Sequence, residues 1–139
     1  EKLQGLPGVC PPPRPKDREH SYWNFPLRVV EREAGVDSVK FAEALAAEGI
    51  PCGGKWIGKP LYMFESMTDK ITFGSSHCPF DHYAADRDIE YGQGLCPQAE
   101  QALAELLTIG IHENYEKSDI EDIAAAVQKV SAALREEPQ

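Results

Sequence analysis

No stretch of this sequence approaches the roughly 20 consecutive apolar residues of a membrane-spanning helix, and no basic segment followed by an apolar one opens it. A cytoplasmic protein with no membrane partner is therefore expected. Basic residues are scarce as well: 14 Lys and Arg stand against 23 Asp and Glu, and the formal net charge of -9 repels a phosphate backbone. No nucleic acid partner is expected on this balance. Cys10, Cys52, Cys78 and Cys96 form no C-x-x-C pair, which removes zinc ribbons and redox motifs and leaves reduced, mostly buried thiols as the expectation. The phosphate-binding patterns G-x-G-x-x-G and G-x-x-x-x-G-K-[ST] are missing, and so is the G-x-S-x-G nucleophile elbow. An initiator methionine is missing too, so Glu1 is taken as a position inside something larger.

What is present describes one folded domain. Hydrophobic residues make up 42% and charged residues 27% of the 139 positions, near the averages of globular proteins. Pro7, Pro11, Pro12, Pro13 and Pro15 remove backbone donors from the first 18 residues, so 1–18 is expected to be a linker and 19–139 the domain. Trp23, Phe25, Leu27 and Val29 recur at period 2 and predict a strand within Ser21 to Val30, with Pro26 demanding an edge position or a bulge. Asp37 is placed to cap a helix carrying Phe41, Ala42, Leu45 and Ala46, and Gly49 to end it.

Pro97 opens another helix, with Ala99, Leu103, Leu106 and Leu107 as its buried stripe, and Leu107 to Ile111 predicts a strand. Ser118 and Glu121 predict a capping box for a last helix whose apolar stripe is Ile120, Ile123, Ala124, Val127, Val130 and Leu134. The elements sum to an α+β domain, a short antiparallel sheet covered by helices.

Two constellations have the residue types of a site. His77, Cys78, Asp81 and His82 are all metal-ligand types, but their spacing matches no recognised set, and they are read as loop residues. Between Gly53 and Glu65, Trp56, Tyr62 and Phe64 accompany Lys55 and Lys59, a mixture suited to a ring-shaped, hydroxylated or anionic ligand. Taken by themselves these aromatics are read as core packing and the lysines as solvated.

Four segments share a further property. The approach Arg18, Glu19, His20, Ser21, Tyr22, Trp23, the helix Val39 to Glu48 with Gly49, Ile50 and Pro51, the run Tyr91 to Glu100, and Leu106 to Ile123 with His112 resemble, in chain order, the carboxy-terminal part of the DegT/DnrJ/EryC1/StrS aminotransferases. The third is similar to the signature Y-x-x-G-x-C-P-x-A-E through Tyr91, Gly94, Cys96, Pro97, Ala99 and Glu100. Gly110 stands where that family has a proline, and Pro60, Leu61 and Tyr62 where many members carry a proline followed shortly by histidine, so a cyclitol is as open as a nucleotide sugar.

The resemblance implies the small carboxy-terminal domain of a fold-type-I transferase dependent on pyridoxal phosphate. The cofactor's lysine and its pyridine partner would belong to a large domain missing here, leaving this chain alone inactive. It implies transfer of an amino group from glutamate or glutamine to a keto sugar or keto cyclitol, homodimers at full length, and a substrate-side loop supplying Lys55, Trp56 and Tyr62. The competing expectation is a freestanding acidic interaction domain without catalysis.

Overall fold

The computed structural model of the chain describes residues 2–80 and 89–136. They fall into two compact units, Glu1–Trp56 with Ala104–Gln139, and Ile57–Leu103.

The first unit is built on a four-stranded antiparallel sheet in the order β1-β2-β4-β3, from β1 (Val9–Cys10), β2 (Asn24–Val29), β3 (Cys52–Gly54) and β4 (Leu106–Gly110). The mixed α and β content and the antiparallel pairing agree with the α+β class. Leu27 pairs with Leu107, Phe25 with Ile109, and Cys52 with Ile109. Opposed residues project to the same side of a ladder, so these positions form one apolar face, while Arg28 between buried Leu27 and Val29 is exposed.

Residues 1–18, expected as a linker, contribute β1 and place Val9 in the core, because a two-residue edge strand fits between Pro7 and Pro11. β1 stops opposite Arg28, so Pro26 sits where β2 has no neighbour on that side. Its missing N–H then leaves no ladder bond unmade. Gly53 and Gly54, expected in a loop, form β3: a Cβ on Gly54 would lie 2.3 Å from the Ser38 carbonyl oxygen, so only glycine lets the strand approach so closely.

Helix α1 (Glu31–Ala34) is a single turn, and α2 (Ser38–Ala47) follows with Asp37 as its cap. α2 ends as expected at Gly49, with φ 87 and its N–H on the Ala46 carbonyl, while the Ile50 N–H reaches Leu45. This pair of bonds is the Schellman arrangement, and it returns Ile50 to the core edge. Phe41, Ala42 and Leu45 of α2 and Val127 and Val130 of α5 (Lys117–Glu136) pack on the sheet's apolar face.

The start of α5 differs from expectation. Asp119 accepts from the Glu116 N–H at 2.7 Å, the reach-back half of a capping box, so the helix begins before Ser118, and Glu121 instead pairs with Lys2. Ile120, expected in the buried stripe, is 44% exposed and lines an apolar groove of about 540 Å³.

The second unit contains a single 3₁₀ turn (Leu61–Met63), the one-turn helix α3 (Glu65–Thr68) and most of α4 (Pro97–Glu105). The stripe expected on α4 is corrected. The helix ends at Glu105, Leu106 and Leu107 belong to β4, and α4 carries no buried residue. Among the described residues of this unit only Pro60 is buried, whereas Leu61 and Phe73 are more than 70% exposed. Local hydrogen bonding rather than an apolar core shapes it. Among the described residues no helix is long and apolar enough to cross a membrane.

Candidate functional site

Lys55 immediately follows β3 and takes φ 50, a left-handed conformation uncommon for a residue with a side chain. Its N–H bonds the Leu106 carbonyl at 2.8 Å, and its Nζ lies 3.3 Å from Asp37 Oδ2. Asp37 thus has two duties, because its Oδ1 also accepts from the Lys40 N–H at 2.9 Å as the α2 cap. The Lys40 N–H first, and the Lys55 ammonium after it, hold the Asp37 carboxyl below its ordinary value of 3.8.

A depressed carboxyl stabilises the fold while it is ionised, fully above its unfolded value, and that contribution is lost as pH falls through the lower folded value. Asparagine keeps the capping geometry without the charge. The stability difference between wild type and Asp37→Asn is therefore expected to be constant near neutrality and to shrink as pH falls from about 5 to about 3. Urea midpoints across that range check it, and a difference independent of pH would remove the charge from the account.

Trp56 follows Lys55 and is 54% exposed, contrary to its reading as a core aromatic. Phe64 is exposed as well, with Lys59 Nζ 4.9 Å above its ring centroid, a cation–π contact rather than core packing. Trp56 meets Trp23, which precedes β2 and is 78% exposed, edge to face with centroids 6.4 Å apart. The period-2 pattern of Trp23, Phe25, Leu27 and Val29 predicts a buried Trp23. It lies just beyond β2, where the apolar face has run out, and its carbonyl accepts from the Ile111 N–H at 2.9 Å. No local signal joins Trp23 to Trp56. They lie beyond opposite ends of β4, and the turn at Lys55 brings the second indole back.

Tyr62, the third expected site residue, belongs to the second unit. Its hydroxyl donates to Glu100 Oε1 at 2.7 Å and accepts from the Cys96 N–H at 3.2 Å, while the same carboxylate oxygen accepts from the Gly94 N–H at 2.8 Å. Desolvation, and then the bonded Glu100 carboxylate, push the phenol up to about 12, and the Tyr62 hydroxyl holds Glu100 down. Tyr91, Gly94, Cys96, Pro97 and Glu100 gave the most specific part of the resemblance. In the fold, Gly94 takes φ 92, Pro97 starts α4 where no N–H is needed, and Glu100 and Tyr62 satisfy the loose N–H groups ahead of that helix.

The remaining candidates have simpler placements. His77 is exposed and Cys78 half-buried, and Asp81 and His82 lie outside the described residues. Among the described residues no group of three or more His, Cys, Asp or Glu side chains gathers as a metal set. All four cysteines are free, but none is buried, which corrects that expectation: Cys10 lies on the outward side of an edge strand and Cys96 on the turn before α4. Burial raises the half-buried Cys52 thiol, which donates to the Ala42 carbonyl.

No protein-family model matches the chain, and no curated protein matches it.

Proposed function

We propose that this chain is the small carboxy-terminal domain of an aminotransferase dependent on pyridoxal phosphate, one that delivers an amino group from glutamate or glutamine to a keto sugar or keto cyclitol. The observation that carries the reading is collinearity. The four segments of resemblance fall in order on the approach to β2, on α2 and its Gly49 exit, on the start of α4, and on β4 leading into α5.

The cofactor does not fit this chain. Its lysine would need an enclosed setting and a carboxylate aimed at the pyridine nitrogen, and no lysine of the chain is buried. The cofactor and all chemistry on it are assigned to a large domain, and the active protein to a homodimer. What the residues here contribute is contact with the acceptor. Lys55 offers a directed cation and Trp56 an exposed ring, while the Tyr62 hydroxyl is committed to Glu100, so the test rests on the first two.

In the full-length protein, Trp56→Ala and Lys55→Ala are each expected to lower kcat/KM for the acceptor about tenfold, the equivalent of about 1.4 kcal/mol. Cofactor absorbance and the half-reaction with the amino donor should change much less. Unaltered acceptor kinetics in both variants would remove the pair from the substrate side. A freestanding acidic interaction domain is the second reading, favoured by the exposed Leu61 and Phe73. A full-length protein without any transaminase half-reaction would select it.

A further inference from the structure

We infer that the groove between the first turns of α5 and the open end of the sheet is a binding site for an aliphatic monocarboxylate, its chain against the apolar walls and its carboxylate at Lys2 and Arg14. The site lies wholly within the first unit and does not depend on the aminotransferase reading.

Three observations carry it. First, both walls lose their cover at the same end. On α5, Val127 and Val130 are buried, whereas Ile123, one turn earlier, is half-buried and Ile120 is exposed. On the sheet, Leu27 and Leu107 are buried, whereas Phe25 and Ile111, toward the other end of β2 and β4, are half-buried. With Leu3 these side chains line the hollow of about 540 Å³. Protein interiors pack closely, and a cavity within the range of about 300–1,000 Å³ is the size of a small-molecule site rather than of a packing defect.

Second, the charge at the groove opposes that of the chain. Among the described residues, Lys2 and Arg14 are the charged side chains lining it, in a protein of formal net charge -9. They belong to the segment 2–16, which holds Lys2, Arg14 and Lys16 and no acid. Lys2 Nζ lies 3.3 Å from Glu121 Oε1, but Lys117 Nζ lies 3.9 Å from the same oxygen, so two ammonium groups share one carboxylate and positive charge is left over. Such an exposed pair is weak, and each ammonium has three donors. An adjoining hollow of about 830 Å³ shares Arg14, Tyr22 and Phe25 with the groove and adds Arg18 and His20 against Glu19, so the head of a bound anion meets basic groups there too.

Third, the basic wall is anchored and the lining selects a chain. Gln128 Nε2 donates to the Lys2 carbonyl at 2.7 Å, and Leu3 packs against the core, so binding does not have to order this segment. Apart from the two cations, only Tyr22 among the described lining side chains is polar. The hydroxyls of a sugar or the amides of a peptide would lose water there without gaining partners, whereas an alkyl chain asks for none.

Decanoate, decanol and decyltrimethylammonium are titrated separately into the 139-residue chain by calorimetry. Saturable one-to-one binding of decanoate is expected, about tenfold tighter than decanol because its head gains charge-assisted hydrogen bonds. Octanoate, two methylenes shorter, should bind about fivefold or more weakly than decanoate. Ile120→Glu places a carboxylate on the wall and should weaken decanoate at least about tenfold. Arg14→Gln should weaken decanoate about fivefold and leave decanol unchanged, which separates head from tail. Circular dichroism of each variant distinguishes lost binding from lost fold, and Arg14→Gln keeps the test open if Ile120→Glu unfolds.

Absence of saturable decanoate binding overturns the site, as does equal affinity for decyltrimethylammonium or binding unaltered in both variants. A dimer in sedimentation velocity that Ile120→Glu disperses, in a chain that ignores decanoate, assigns the groove to a second copy. Binding by this chain but not by the full-length protein assigns it to a further domain, and either result overturns the inference. Transaminase kinetics of the full-length protein test the aminotransferase reading alone, so the two fail separately.

Discussion

Phe41→Ala is expected to remove a large share of the stability of the first unit. Phe41 is fully buried on α2 and packs into the cluster of Leu27, Leu45, Leu107 and Val127 that joins helix to sheet. Truncating a buried phenylalanine costs about 3–5 kcal/mol through lost transfer energy and the cavity left behind. A whole domain is stabilised by about 5–15 kcal/mol. Lys40→Ala, one position away on the exposed side of α2, is the control and should move the urea midpoint little. Equal shifts for the two variants would mean that α2 does not pack as described.

Gly8→Ala should be nearly as damaging, for a reason of the backbone. Gly8 takes φ 71, and a Cβ there would lie 2.3 Å from the Ala34 nitrogen and 2.7 Å from the Ala34 Cα. Those are main-chain atoms of α1, and the Gly8 carbonyl accepts from the Val30 N–H, so the turn has no direction in which to yield. The left-handed conformation costs an L-residue about 1–2 kcal/mol, and forced repacking adds about 1–3 kcal/mol. Gly5→Ala separates the two terms, because Gly5 has φ 79 with nothing within 4 Å of its Cβ position. It should show the dihedral cost alone. Identical losses at Gly5 and Gly8 would show that the close approach to Ala34 is not maintained in solution.

The periodic elements were legible because their signals are local. The alternation through Phe25, Leu27 and Val29 gave β2, and Asp37 and Gly49 bracketed α2, since each residue's physical preference is decided within one turn or one pleat. Errors arose where the deciding partner was distant in sequence. Gly53 and Gly54 looked like loop residues until Ser38 and β4 closed on them, and the short apolar run at Leu106 and Leu107 suits a helix end as well as a strand start. At the candidate site, Lys55 and Trp56 were visible as an unusual mixture of types. Trp23 was hidden, because its partner is 33 positions away and the left-handed turn that joins them falls on a lysine rather than a glycine.

The sheet's two rims bear on how the protein behaves at high concentration. β1 contributes two residues and runs directly into Pro11, Pro12 and Pro13, while β3 contributes three and ends in the turn at Lys55. An incoming strand would find no continuous row of donors and acceptors on either rim, because proline supplies no N–H and the opposite rim is too short to template a ladder. Open sheets with long, flat rims recruit one another into fibrils. This one has both margins closed to such recruitment, so concentrated solutions are expected to stay free of thioflavin-positive aggregates while the first unit remains folded.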